Sequence, residues 1–222
     1  MLSFRNPLNT IDYDYLISAG SVKEVIERLN GSIYYKYIRK FLEEMDNEGL
    51  FRLENNLDMT YFRALRSFVK KLPKEDSTII KNIIGFEADL LNITSVYRGR
   101  KYYKISPEVL FNYTIYDHYK LKSDSLKALC YATDSEQFRE VLKRLPYRNV
   151  IPADIEEEYM IEVYQRDTMY KFFNKYMSAG KLDISVVMSY VYLLHIEVQN
   201  IVTIVENTRY EGEFPEITKF LN

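Results

Sequence analysis

Two carboxylate–asparagine pairs are the residues of this sequence whose types and spacing could do chemistry. Asp89 is followed three positions later by Asn92, and Glu197 by Asn200, each inside a long apolar stretch. In a helix that spacing puts both side chains on nearly the same face. Such a face could hold a general acid or base, or offer oxygen ligands to a cation, and Glu87 adds a further carboxylate to the first pair. The competing role is structural: a buried polar network that keeps helices in register, satisfied by tyrosine hydroxyls or by Arg63, Arg66 and Arg98. The structural role is the one expected, because two tandem copies do not generally converge on one point. His195 falls where the first copy has Glu87, and a lone histidine on an apolar helix is more often hydrogen-bonded core than a base.

Other chemistries lack their residues. The seven glycines form neither GxG nor GxxxxGK, which excludes a P-loop or a dinucleotide fingerprint. Two histidines and one cysteine are too few for a Cys/His zinc site, and no Ser–His–Asp or Cys–His arrangement can be argued from them. No catalytic, cofactor-binding or metal-binding residue is therefore assigned. The dense basic cluster is RGRKYYK at 98–104, with Arg98, Arg100 and Lys101. It could contact phosphate or lipid headgroups, but cations at a helix C-terminus also complement the macrodipole, which is the expected role. Acidic residues 156–158 lie near an expected helix start and read as a solvated face.

The elements that would carry these residues are helices. The stretches around 77–101 and 183–209 repeat at a shift of 108: Ile79 on Val187, Ile83 on Val191, Asp89 on Glu197, Asn92 on Asn200, Ile93 on Ile201 and Val96 on Ile204. Phe62, Leu65 and Phe68 match Tyr170, Phe173 and Tyr176 at the same shift, so a whole module repeats. A capping box at Ser21 and Glu24 opens one helix, ending near Gly31, and Ser32 caps a second through Met45 with Gly49 beyond its end. Asp58 is expected to start a helix whose apolar side carries Phe62, Leu65, Phe68, Val69 and Leu72, stopped by Pro73. Asp76 should begin the long first-copy helix, ending around Arg98 and Gly99. Ser106 and Pro107 mark the joint, Asp134 and Gln137 cap another helix, and a longer one runs from Asp154 to about Met177 with Gly180 after it. Period-two alternation is missing, so the class is all-α: two tandem helical units, 1–105 and 106–222.

Composition sets the outer limits. A chain of 222 residues, 47% hydrophobic and 28% charged, is ordinary globular material. A formal charge of −2 disfavours a generic nucleic-acid binder. The lone Cys130 suits a reducing compartment, and the N-terminus shows no secretory signal. The stretch from Ile184 to Val205 is long enough to cross a bilayer, but His195, Glu197, Gln199 and Asn200 lie towards its middle. It is expected to be a central helix packed on several sides, not a transmembrane segment. The 21 tyrosines, with no tryptophan, supply amphipathic area for helix packing or interfaces.

FEADLLNITSVYRGRK at 86–101, HIEVQNIVTIVENTRYEG at 195–212 and the opening LISAGSVKEVIERLNGSIYYKYI at 16–38 together resemble the AC39 family. That family comprises the C subunit of archaeal and bacterial V/A-type rotary ATPases and the d subunit of the vacuolar ATPase. Its signature is an acidic residue, an Asn three later, then hydrophobics and a basic end. Asp89, Asn92, Arg98, Arg100 and Lys101 fit it, as do Glu197, Asn200, Arg209 and Gly212, while Glu206 replaces the first basic position of the second copy. The resemblance implies an all-helical funnel module. Family members usually carry three units, so this chain reads as a shortened member that starts at the second. It further implies a non-catalytic connector between the central-stalk and rotor-ring proteolipid subunits, peripheral on the cytoplasmic face of the membrane, without a cofactor and without nucleic acid. Two other classes stay open: a helical interaction scaffold that left the ATPase, and a hydrolase or metal enzyme using the carboxylates of the two long helices.

Overall fold

Local capping chemistry sets most of the helix starts. The computed structural model describes residues 11–32, 34–42, 49–151 and 160–209. Among the described residues the chain is all-helical: α1 (Tyr13–Ile17), α2 (Val22–Arg28), α3 (Tyr35–Ile38) running into a 3-10 turn, α4 (Gly49–Val69), α5 (Lys74–Lys101), α6 (Pro107–Asn112), α7 (Ser123–Cys130), α8 (Ser135–Lys143), α9 (Met160–Met177) and α10 (Ile184–Arg209). Ser21 Oγ accepts from Glu24 N at 3.2 Å, and the Glu24 carboxylate accepts in return from Gly20 N at 2.8 Å. Asp134 and Gln137 repeat this at α8, where Gln137 Oε1 accepts from Thr133 N. Ser106 caps α6 with Pro107 in its first turn. Gly31 and Gly180, at φ +89° and +67°, take the left-handed conformation that ends a helix.

Several expected boundaries move. The helix expected after Ser32 closes as the short α3 and the 3-10 turn Arg39–Leu42; residues 43–48, including Met45, lie outside the described residues. α4 starts at Gly49, not at Asp58, because Leu53 and Leu57 extend its apolar stripe backwards onto a small cluster around Ile26 and Ile38. Asp58 is therefore mid-helix, and Phe68 and Leu72 face solvent. α5 begins at Lys74, directly after Pro73. The expected start of α9 at Asp154 falls among residues 152–159, outside the described residues. α7 carries no signal that sequence reading could use, since its N-cap Lys122 makes no side-chain capping bond.

The largest correction concerns which long helix is central. Fifteen of the 28 residues of α5 are buried, against three of the 26 of α10, namely Ser185, Ser189 and Ile196. α5 is surrounded by α4, α6, α7, α9 and α10. α10 leans on α9 and α5 along one side only, with Tyr192 stacked on Phe173 at 4.2 Å. Its apolar character all round is the reason to expect burial, but apolar residues outside are common and burial does not follow from composition. By length and composition α10 is long and apolar enough to cross a membrane.

The segment between α6 and α7 is not helical and crosses α5 at Gly85. A Cβ there would lie 2.8 Å from the His118 carbonyl carbon and 2.9 Å from Tyr119 N, distances that backbone atoms do not tolerate. Gly85→Ala gains about 1 kcal/mol of helix propensity but must push the crossing segment away, and overpacking of this kind costs about 1–3 kcal/mol. We expect a net loss of stability in denaturant titration, with faster hydrogen exchange at the amides of residues 119–121.

Candidate functional site

Gly85, Asp89 and Asn92 are spaced by four and three along α5 and present one stripe to the crossing segment. Asp89 is fully buried. Its Oδ2 accepts from the backbone N–H groups of Tyr119 (3.2 Å), Lys120 (2.7 Å) and Leu121 (2.9 Å), and from the Tyr147 hydroxyl. Burial pushes this carboxyl above its ordinary range while the four donors pull it down, and the same burial, with Asp89 beside it, pushes the Tyr147 hydroxyl up. Asn92 pairs with both backbone groups of a single residue: Nδ2 donates to Ile115 O at 2.9 Å and Oδ1 accepts from Ile115 N at 2.7 Å. The pair thus pins a loop to a helix. Its partners are backbone groups and one tyrosine, not arginines: Arg66 bonds Asp117 at 2.9 Å and Arg98 bonds Glu162 on α9 at 2.9 Å.

The second pair is placed differently. Glu197 is exposed and Asn200 half-buried on α10, and no described loop covers them as residues 115–121 cover Asp89 and Asn92. Arg209 ends α10 at the surface, and Gly212 lies outside the described residues. In the basic cluster, Arg100 donates to Cys130 O, and Lys101 sits 3.1 Å from the Tyr97 hydroxyl and over the Tyr97 and Tyr102 rings. The Tyr97 bond raises the Lys101 pKa. All three cations are at least half-buried and engaged within the fold at the end of α5. Burial pushes the Cys130 thiol up to about 12, far from a reactive thiolate.

The structure also brings together groups that the sequence did not connect. Glu87 and His195, the matched positions of the two copies, line one open cavity of about 600 Å³ with Arg166, Glu162 and Tyr192. Burial raises the Glu87 carboxyl, and the charge of Asp58 on α4 raises it further. Asp58 itself is pushed up to about 6, by burial first and then by Glu54. Tyr61 and Tyr192 are each pushed up to about 12 by burial, with Glu87 contributing. Among the described residues no group of three His, Cys, Asp or Glu side chains is arranged to hold a metal ion. Gly85, Tyr147 and Asp58 are the participants that sequence reading missed. Only Gly85 left a signal, since a glycine inside an apolar helix costs about 1 kcal/mol and marks a close approach.

A buried helix pinned by polar side chains to a loop, with its cations engaged inside the fold, defines a class: an all-helical body held rigid by its own network. The chain matches the family described as ATP synthase (C/AC39) subunit over residues 2–213, and it belongs to that family. It is 26% identical over 211 residues to the A-type ATP synthase C subunit of Methanobrevibacter smithii, covering 92% of this chain and 54% of the relative. The same protein of Methanosphaera stadtmanae is 24% identical over 208 residues (89% and 53%), and that of Methanosarcina barkeri 28% over 136 residues (61% and 36%). The chain spans about half the length, or less, of these relatives.

Two outcomes check the site. Asn92→Ala strands the buried N–H and C=O of Ile115 and should cost about 2–4 kcal/mol, whereas Glu197→Ala should stay within about 0.5 kcal/mol; equal losses in denaturant titration would contradict this contrast. The second concerns Asp58. Its folded pKa stands above the unfolded value, so its protonated form favours folding below about pH 4, and that contribution is lost as pH rises through about 6. Asp58→Asn should therefore melt above the unmodified chain at pH 8 and level with it at pH 4.

Proposed function

We propose that the chain is a non-catalytic connector of a V/A-type rotary ATPase, seated between the central stalk and the membrane rotor ring on the cytoplasmic face. In that role it passes torque between ATP turnover and proton or sodium movement. The observation that carries this reading is the family match over nearly the whole chain. Its geometry suits the task. α5, at 28 residues, is a strut of about 42 Å, and Asp89 and Asn92 lock its neighbouring loop in place. We further propose that residues 1–105 and 106–222 are two tandem units, the second built on α10 as the first is on α5, and that Asp89, Asn92, Arg98, Arg100 and Lys101 serve the fold of the first.

Affinity purification of the tagged chain from its native membranes in mild detergent tests the role. Rotor-ring and stalk subunits should be recovered with it, in a complex that hydrolyses ATP. Recovery of unrelated soluble proteins alone would replace the connector with a helical interaction scaffold.

A further inference from the structure

The exposed large hydrophobic side chains of the described residues fall mainly into two groups. One lies on α1 and α2, where Tyr13, Tyr15, Ile17 and Val22 are among them. The other is the uncovered side of α10, where Val187, Val191, Leu194, Val198, Ile201 and Val205 recur at alternating steps of four and three. That is the spacing of a helix-packing seam. The strip is about 27 Å long.

The chain carries its own template for what belongs there. At the shift of 108, Val191, Leu194, Val198, Ile201 and Val205 match Ile83, Phe86, Leu90, Ile93 and Tyr97 of α5, all of them buried. Residues that follow α5 cover two of these: Phe138 of α8 packs on Tyr97 at 5.5 Å, and Phe172 of α9 stacks on Phe86 at 3.8 Å. The counterparts of those covering helices are α2 and α4. KEVIERL at 23–29 in α2 matches REVLKRL at 139–145 in α8, which sets Val22 against Phe138. Phe138 is 2% exposed and Tyr97 4%, whereas Val22 is 38% exposed and Val205 57%. The molecule thus presents an uncovered helix, α10, and an exposed residue of α2 whose counterpart covers the matching helix.

We infer that a second copy of this chain docks head to tail, its α1–α2 surface seated on the α10 strip of the first. This rests on the two-unit reading and not on a place in a rotary ATPase, so the purification experiment above and the one below fail independently. The contact is heterologous: the two surfaces differ, and a further copy can add at each free end. Val22 of one copy meets Val205 of the next, as Phe138 meets Tyr97 within the chain.

Sedimentation of the full 222-residue chain over a range of concentrations tests it. The unmodified chain should rise in average mass well above 26.5 kDa as concentration increases. Val22→Glu and Val205→Glu lie at exposed positions, keep the helical circular dichroism, and should each remain at the single-chain mass. Mixed in equal amounts they should double in mass, because Val22→Glu keeps a working α10 and Val205→Glu keeps a working α1–α2 surface. If Val205→Glu alone blocks association and Val22→Glu does not, α10 pairs with α10 and the head-to-tail contact is wrong. An unmodified chain that stays at one mass overturns it too, whether or not it floats with phospholipid vesicles; flotation would assign the strip to lipid.

Discussion

A helix buried on all sides that must face a stretch of chain without helical hydrogen bonds is the constraint on which the described fold depends. The backbone of residues 115–121 crosses beside α5, and at Ile115 and Leu121 its N–H groups and the Ile115 carbonyl are buried, so each must find a partner. The residue types answer that demand one by one. Three successive N–H groups need one acceptor within reach of them all, and a carboxyl oxygen is that group. Ile115 offers one donor and one acceptor side by side, and a primary amide is their complement. The spacing of Gly85, Asp89 and Asn92 follows from the path of the loop across the helix.

The same logic explains why the second copy of the motif behaves differently. At the position of Gly85 the second long helix has Leu193, whose side chain bars the close backbone approach that residues 118–119 make on α5. Ala88, fully buried, becomes Ile196, and Arg98, paired with Glu162, becomes Glu206. Motif letters persist while the small residue that let a loop reach them does not. Among the described residues no loop lies over the second pair, and Glu197 is exposed. The carboxylate–asparagine spacing thus identifies a helix that can take a loop, and the residue four before the carboxylate decides how closely.

Much of the fold was legible because helices announce their ends locally. Ser21, Ser106 and Asp134 cap, and Gly31 and Gly180 stop, through contacts within a few residues. What was not legible depends on contacts distant in sequence. Asp89 meets Tyr147, 58 residues away, and nothing in PYRN around it distinguishes this tyrosine from the other twenty. Asp58 resembles a helix cap because Gly49 resembles a terminator; the tertiary cluster at Ile26 and Ile38 overrides both signals. The outward side of α10 reads in sequence just as the inward side of α5 does, since hydrophobicity records what a surface can bury and not whether it has.

The polar pins also bear on mechanics under the connector role. Apolar burial is non-directional and roughly proportional to area, so it specifies a register less sharply than a hydrogen bond does. Hydrogen bonds lose strength steeply when lengthened or bent, and the six that tie residues 115–121 to α5 and Tyr147 to Asp89 admit one register. Their net contribution to stability is modest, because the same groups are hydrogen-bonded to water when unfolded. Their contribution to uniqueness is larger, because any shifted register leaves an ionisable carboxyl and a peptide group buried without partners. In a body that must not yield under load, such pins are best placed on the most enclosed helix, and α5 is where this chain has them.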